Sequence, residues 1–174
     1  MSTTAPQDRT DLPGSLGAGY AARSEHRPLA GYALLTGAFA TAMGASLFAA
    51  HRSGRPLPER LSASDVVLTG IATHKLSRLI AKDKVTGFLR APFTRFQEPA
   101  GHGEVEEEPR GRGLRFATGE LLVCPYCLAQ WIVGGFAVGY VYAPRLTRLA
   151  AATWTAHAIA DAAQLAYSGA EQRA

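Results

Sequence analysis

Two cysteines three positions apart are the residues whose spacing points most directly to chemistry. The segment Cys124-Pro125-Tyr126-Cys127 has the Cys-x-x-Cys spacing of thiol–disulfide active sites, and its proline suits the first turn of a helix. Cys124 would then lie near a helix N-terminus, where the dipole favours a thiolate. A glutaredoxin-type site also needs a preceding strand and a βαβ sheet, whereas a flexible loop and a long apolar helix are expected here. We therefore exclude a thioredoxin-like enzyme.

Metal binding and simple packing are the other interpretations of this pair. Two thiolates supply half of a tetrahedral zinc site, and the remaining ligands would come from His74, His102, His157 or a second copy of the chain. One such motif is insufficient evidence, so we predict no cofactor and keep zinc at Cys124 and Cys127 as an alternative. We favour two reduced cysteines that pack as small apolar side chains while the proline starts the helix.

A second group of candidate residues consists of polar side chains at helical spacing inside apolar segments. Charged groups in such segments normally face protein or water and find partners. We predict an ion pair between Arg78 and Asp161, with His74 and His157 at a shared depth. An ion or proton pathway is the functional interpretation, but we favour an internal pair that fixes the register of the helices. The predicted intramembrane polar core comprises His74, Lys75, Arg78, His157, Asp161 and Gln164.

The segment from Lys82 to Gln97 interleaves aromatic and cationic side chains. Such a pattern is typical of a segment that lies at a membrane surface, with apolar groups at the acyl boundary and cations among the headgroups. We expect an interfacial helix or a hairpin broken at Pro92, and we interpret the segment as a membrane anchor rather than a site for a specific lipid. The predicted lipid contacts are Lys84, Phe88, Arg90, Phe93, Arg95 and Phe96.

Four apolar segments would have to position these residues. Residues 28–50 and 121–143 contain no charged side chain, and each would be about 35 Å long as a helix, enough to cross a hydrocarbon core of about 30 Å. Residues 149–167 carry only Asp161 but are rich in alanine, so their insertion would depend on packing against another helix. Residues 66–81 predict a short, tilted or partly buried span.

The distribution of charge separates this chain from a soluble domain of the same composition. The mean hydropathy of -0.01 and the 18% of charged residues are ordinary, but only three of the 32 charged groups lie in the four segments. A soluble helical bundle would have to surround two wholly apolar helices with too few residues. The basic residues flank the apolar segments, so we interpret the net charge of +4 as a signal for orientation and expect no binding of nucleic acid.

The positions of the basic residues predict the orientation. Counting four spans, eleven Lys and Arg lie in the first tail, the middle loop and the last tail, against five on the other side, so both termini should be cytoplasmic. We predict a disordered cytoplasmic tail at 1–27, a cytoplasmic loop at 82–120 and a C-terminal tail at 169–174. The Gly- and Glu-rich stretch 100–113 should be a mobile insertion within that loop.

Three short elements together carry a resemblance to a known family. They are Ala72-Thr73-His74-Lys75-Leu76-Ser77-Arg78-Leu79-Ile80 followed by Asp83, then Phe88-Leu89-Arg90-Ala91-Pro92, then Gly119-Glu120-Leu121-Leu122 leading into the cysteine motif and Trp131. Residues 62–168 resemble the bacterial small-membrane-protein family of unknown function, domain-of-unknown-function family 1360, some members of which are labelled sporulation proteins. The resemblance implies a polytopic bacterial inner-membrane protein and no established activity. It marks Arg78, Asp83, Arg90, Glu120, Cys124 and Cys127 as the residues to test first.

The sequence therefore predicts an all-α polytopic membrane protein with about four transmembrane helices and a short interfacial segment. We expect a non-enzymatic structural or accessory subunit of a bacterial membrane assembly, with the bilayer and either another membrane protein or a second copy as partners. Two alternatives stay open. One is a membrane thiol or metal protein that uses Cys124 and Cys127, and the other is a small transporter with a His/Arg/Asp core.

Overall fold

The structure, a computed structural model, describes Tyr20 and residues 27–173. Most of the described chain is helical, and a single pair of strands interrupts the helices. The predicted disordered tail at 1–27 lies outside the described residues, apart from Tyr20 and Arg27. In chain order the elements are α1 (Leu29–Arg52), α2 (Ala63–Lys82), α3 (Gly87–Arg90), β1 (Thr94–Gly101), β2 (Glu104–Pro109), α4 (Gly113–Val123), α5 (Pro125–Tyr142) and α6 (Pro144–Glu171).

The described residues divide into two compact units. The first contains the residues up to Thr41 together with Lys82–Cys124, and the second contains Ala42–Ala81 together with the residues from Pro125 onward. The first unit therefore holds the hairpin and α4, and the second holds α2, α5 and α6.

Helix α1 is the one helix of the described chain that is by itself long and apolar enough to cross a membrane. Only 6% of its most apolar window is buried by the rest of the molecule. Helices α4 and α5 reach the same length and apolarity only as a pair broken between Val123 and Pro125. The four-span prediction thus goes beyond what length and composition support, because α2 and α6 carry too many polar groups.

The predicted span at 121–143 is broken because of the residue that follows Cys124. A proline has no N–H to donate and disfavours a helical conformation at the residue before it. Cys124 accordingly has an extended backbone, with φ −102° and ψ 103°, so that α4 ends at Val123 and α5 begins at Pro125.

The first unit contains a β-hairpin, which corrects the all-α prediction. Strands β1 and β2 pair antiparallel from Thr94 opposite Pro109 to Gly101 opposite Glu104, with two irregularities in register. The reversal uses Gly101, His102 and Gly103, all of which have positive φ. The predicted mobile insertion at 100–113 is therefore a strand with its flanking turns.

A glycine holds α4 close to this hairpin. A Cβ at Gly119 would lie 2.6 Å from the carbonyl oxygen of Phe93 and 3.0 Å from Pro109, too close for any other residue. Because only glycine lets two backbones approach this closely, its place in α4 brings the helix against the ends of both strands. The loop predicted at 82–120 is an ordered part of the first unit.

The second unit packs α2, α5 and α6 around a small apolar core. Ala72, Phe136 and Ala151 are its buried members, one from each helix. Two of the three are alanines, and small side chains let helices approach closely where apolar burial alone does not drive association. At Gly139 a Cβ would lie 2.6 Å from the hydroxyl oxygen of Thr147, so that the backbone of α5 lies directly against this side chain of α6.

Candidate functional site

The buried face of α2 is polar. Asp65, Thr69, Thr73 and Ser77 follow one another at steps of four residues and are each at least 92% buried. Residues four apart in a helix lie one above the other, so these four side chains form a continuous polar seam in the second unit. The spacing is visible in the sequence, and a search for polar residues at steps of four would have found the seam. We followed the charged residues of the sequence and missed the seam.

Asp65 begins the seam with a two-pronged ion pair. Arg148 donates from Nε to Oδ1 of Asp65 at 2.9 Å and from Nη2 to Oδ2 at 3.1 Å. The carboxylate is 95% buried, whereas the arginine side chain is about half exposed. Such fork-to-fork pairs carry geometric specificity as well as energy, so this contact fixes α6 against the first turn of α2.

Two further hydrogen bonds continue the seam. The hydroxyls of Thr69 and Tyr140 lie 3.0 Å apart, and both residues are buried. Thr155 donates to the backbone carbonyl of Leu68 at 2.8 Å. The seam thus connects α2 to α5 and to α6, and its partners are mostly neutral groups that do not need to ionise.

The predicted intramembrane ion pair has a different cation. Asp161 pairs with the ammonium group of Lys75, where we had expected Arg78. The imidazole Nε2 of His157 lies 3.8 Å from the other oxygen of Asp161, one helical turn away in α6. Lys75 and Asp161 are both partly buried, whereas His74, Arg78, His157 and Gln164 lie at exposed positions. Of the six predicted residues, Lys75, Asp161 and His157 are therefore brought together in the second unit.

One hydroxyl of the seam has no hydrogen bond. Thr73 Oγ1 is buried without a partner among the residues that the structure describes. The second unit also has a shallow cavity of about 320 Å³ with an apolar lining. The one polar side chain of that lining is Thr147, whose hydroxyl donates to the carbonyl of Ala143. Its lining consists of Leu76, Ile132, Gly135, Phe136, Leu146, Thr147 and Ala150.

In the first unit, a buried arginine joins α3 to the hairpin. Arg90 has no exposed surface, and its Nη2 and Nε donate to the two oxygens of Glu107 at 2.9 and 3.1 Å. It also donates to the Thr86 hydroxyl at 2.8 Å and to the carbonyl of Asp83 at 2.9 Å. Glu107 also accepts a hydrogen bond of 2.5 Å from Thr94. We call these five residues the arginine clamp.

The clamp determines the protonation of its carboxylate. Burial by itself would raise the pKa of Glu107, but the hydrogen bonds from Arg90 and Thr94 favour the ionised form and outweigh it, so the pKa lies below its ordinary value. Glu107 therefore stays ionised where an ordinary glutamate would begin to take up a proton.

The predicted lipid contacts fall into two groups. Phe88 is 72% and Phe96 is 56% exposed, and Lys84 and Arg95 are exposed as well, as a contact with lipid requires. Arg90 cannot meet a headgroup, because it is enclosed in the clamp, and Phe93 is only half exposed. The alternation of aromatic and basic residues predicted a surface segment but could not separate the buried cation from the exposed ones.

Glu120, marked by the family resemblance, binds the start of α1. It accepts a hydrogen bond from the Tyr32 hydroxyl, and Arg27 Nη1 lies 3.6 Å from its other oxygen. One turn away, a Cβ at Gly31 would lie 2.8 Å from that of Ala117. These contacts hold the first turn of α1 against α4, so the role of Glu120 in the first unit is to position a helix.

The two cysteines are joined to each other in a disulfide. Both are disulfide-bonded, and the chain has no third cysteine. This corrects the expectation of two reduced thiols. Cys124 immediately precedes α5 and is half exposed, whereas Cys127 lies in the first turn of α5 and is exposed, next to Tyr126 at 90% exposure.

Zinc would need further ligands beside these sulfurs. Within residues 27–173, no group of three or more His, Cys, Asp or Glu side chains is arranged to hold a metal ion. A disulfide sulfur is also a poor ligand, because zinc binds the thiolate. The oxidised cysteine pair is therefore better suited to thiol–disulfide exchange than to binding a metal ion.

The part of the chain that matches a known protein family includes the polar seam from Thr69 onward, the arginine clamp and both cysteines. Residues 68–167 match the model of a family described as "Protein of unknown function (DUF1360)". The match excludes α1 and also Asp65, the first residue of the seam.

Two curated relatives come from Bacillus subtilis (strain 168). The UPF0713 protein YngL is 30% identical over 91 residues, which are 51% of this chain and 66% of YngL. The sporulation protein YjcA is 33% identical over 72 residues, which are 40% of this chain and 61% of YjcA. The chain thus spans just under two thirds of the length of each relative. No solved structure matches it.

Proposed function

This chain belongs to the DUF1360 family of proteins of unknown function, and from that premise we propose that it is a multi-pass protein of the bacterial cytoplasmic membrane. Its role in this proposal is that of a structural or accessory subunit of a larger membrane assembly. The observation that carries the proposal is the placement of polar and apolar side chains in the second unit.

That placement is the reverse of the one found in a soluble helical protein. The buried face of α2 is the polar seam, while Val66 and Val67 beside it are 55% and 58% exposed. Leu149 and Ile159 of α6 are more than 60% exposed, and so is Phe48 of α1. Water would penalise so much exposed apolar surface, whereas lipid would not. The arrangement therefore supports a bilayer as the surrounding solvent.

The pairing of charges explains how α2 and α6 could enter a bilayer despite their polar groups. Lys75 and Asp161 neutralise each other, and Arg148 and Asp65 do the same at the end of the helices. A charge inside a membrane is tolerated when it faces protein and has a partner. We infer that α2 and α6 insert as a pair beside α5, whereas α1 is apolar enough to insert by itself.

Retention in the membrane is the first test. We expect the full-length protein to stay with the membrane pellet after an alkaline carbonate wash and to be released only by detergent. Recovery in the carbonate supernatant would contradict an integral protein.

Placing a lysine on the outer face of α6 tests whether that helix lies in lipid. Ile159 is 61% exposed near the middle of the helix, so that Ile159→Lys would be neutral in water but would cost about 3 kcal/mol of insertion free energy in a bilayer. We expect a large loss of the membrane-inserted protein, measured by glycosylation mapping of α6. Gln172→Lys, just past the helix, serves as the matched control and should insert normally. Equal insertion of both variants would place α6 outside the membrane.

Copurification tests the accessory role. We expect the protein, extracted from native membranes in a mild detergent, to elute with a stoichiometric second membrane protein or with a second copy of itself. Elution as a lone monomer at native expression level would count against a subunit of an assembly.

A small transporter is the second candidate, favoured by the unpartnered hydroxyl of Thr73 within the polar seam. A buried hydroxyl of this kind can bind a passing ion or water molecule. Ion flux into proteoliposomes of the parent protein and of Asp161→Asn tests it. Identical flux in both, at the level of empty liposomes, would reject transport.

A further inference from the structure

The cysteine pair has chemistry that neither a structural subunit nor a transporter uses. We propose that the Cys124–Cys127 disulfide is redox-active and accepts two electrons from a dithiol of another protein. The proposal does not depend on the membrane role argued above, because it rests on the local structure at the start of α5.

The first supporting observation is the position of each sulfur relative to the helix. Cys124 occupies the position just before α5 with an extended backbone, as an N-cap residue does, and Cys127 follows within the first turn. The first N–H groups of a helix have no partner within it, and the helix dipole adds positive potential there. A thiolate released at Cys124 would be stabilised by both.

The second observation is the difference in exposure between the two cysteines. Cys127 is exposed and Cys124 is half exposed, and the side chain of Tyr126 between them extends into the surroundings. An incoming thiolate therefore reaches Cys127 first. Attack at Cys127 makes Cys124 the leaving thiolate, and a leaving thiolate that the helix N-terminus stabilises departs faster.

The third observation is the small size of the ring. The bridge encloses only Pro125 and Tyr126, so it restricts the unfolded chain far less than a bridge between distant residues. The contacts of α5 with α2 and α6 are made by other residues. A disulfide that contributes so little to the fold can open and close without loss of structure.

The proposed reaction is balanced as a thiol–disulfide exchange. A thiolate of the partner attacks Cys127 sulfur, a new sulfur–sulfur bond forms, the Cys124–Cys127 bond breaks, and the Cys124 thiolate takes up a proton. The partner's second thiol loses its proton and attacks its own sulfur in the mixed disulfide, which releases Cys127 as a thiolate that is then protonated. The partner loses two electrons and two protons, and the cysteine pair gains both.

Equilibration with glutathione tests whether the pair is redox-active. The full-length protein in detergent micelles is incubated with mixtures of reduced and oxidised glutathione, and its thiols are counted by alkylation and mass spectrometry. We expect the pair to become reduced as the share of reduced glutathione rises. A pair that stays oxidised in pure reduced glutathione and opens only with dithiothreitol would be structural, and the proposal would be overturned.

Trapping the mixed disulfide tests which sulfur is attacked. The oxidised parent protein is treated with reduced glutathione, free thiols are blocked with an alkylating reagent, and mass spectrometry locates the bound glutathione. We expect glutathione on Cys127 on the order of tenfold more often than on Cys124. Equal occupancy, or glutathione mainly on Cys124, would overturn the assignment. The variant Cys124→Ser/Cys127→Ser should bind no glutathione and should elute from size exclusion as the parent does.

Discussion

Arg90 and Arg95, two arginines of the segment 82–97, differ in burial and therefore in their expected contribution to stability. Arg90 is enclosed in the clamp with Glu107, whereas Arg95 is 70% exposed and lies 3.9 Å from Glu108. Breaking a buried pair leaves an uncompensated charge, and a surface pair contributes little. We expect Arg90→Met to destabilise the first unit by about 3 to 5 kcal/mol.

Arg95→Met is the matched control and should cost at most about 1 kcal/mol. Hydrogen exchange of the hairpin amides in the detergent-solubilised protein measures both variants. Equal loss of protection in the two would show that the clamp does not hold the hairpin.

The lowered pKa of Glu107 makes the hairpin sensitive to acid. A carboxyl whose pKa is lower in the folded state than in the unfolded chain contributes stability above the unfolded value, and this contribution is lost as the pH falls through the folded value. We therefore expect hairpin protection to be constant above about pH 4.5, the ordinary value for glutamate, and to decline below it. Hydrogen exchange across that range measures the decline.

Replacing the titrating group provides the control for this pH dependence. Glu107→Gln keeps the shape of the side chain and removes its charge, so its hairpin should be weaker at neutral pH and should change less on acidification. A parent and a variant that respond to acid identically would assign the pH dependence to other carboxyl groups.

The choice of cation for Asp161 shows what could be predicted at the level of single residues. The structure pairs Asp65 with Arg148, so these two residues mark one level of α2 and α6. At about 100° per residue, however, Lys75 is about 80° and Arg78 about 140° around α2 from Asp65. The prediction of Arg78 as the partner of Asp161 did not consider this helical phase, and the cation that pairs with Asp161 in the structure is Lys75.

At the level of elements, two glycines of α5 make a matched pair. A Cβ at Gly139 would collide with Thr147, whereas a Cβ at Gly135 would meet no atom within 4 Å. We expect Gly139→Ala to destabilise the protein by about 1 to 3 kcal/mol through overpacking of α5 against α6. Gly135→Ala should instead stabilise it by up to about 1 kcal/mol, because alanine is the better helix former.

Thermal unfolding of both glycine variants in the same detergent measures this difference. A lower midpoint for Gly135→Ala than for Gly139→Ala would be inconsistent with the close approach of α5 and α6 at Gly139.

The helices were predictable as elements, and the hairpin was not. Uninterrupted apolar residues place α1 correctly, and Pro125 marks the start of α5. Strand β2 is Glu-Val-Glu-Glu-Glu-Pro, a composition typical of a solvated loop. It is a strand because Arg90, 17 positions earlier, neutralises Glu107 and because glycines permit the reversal at 101–103. Neither contact can be read from a local pattern.

At the scale of the whole molecule, the proposed orientation is open to direct test. Seven basic residues lie in 82–120, so we expect this segment and the C-terminus to be cytoplasmic and the connection at 53–62 to be external. Cysteine labelling of intact cells with a membrane-impermeant reagent, in a Cys124→Ser/Cys127→Ser background, measures this. A new cysteine at Arg60 should react, and one at His102 should react only after the cells are opened. The reverse pattern would invert the topology.

The two ion pairs that join α2 to α6 connect residues that are far apart in the sequence, and this separation sets an order of events during synthesis. Asp65 and Arg148 are 83 positions apart, and Lys75 and Asp161 are 86 apart. Arg90 and Glu107 of the arginine clamp, by contrast, are only 17 apart. While the ribosome is still making α5, the hairpin can already close, but Asp65 and Lys75 have no counterion. In the proposed membrane arrangement, helix α2 would therefore wait at the insertion machinery, and the arrival of α6 would be the step that commits the second unit to the bilayer.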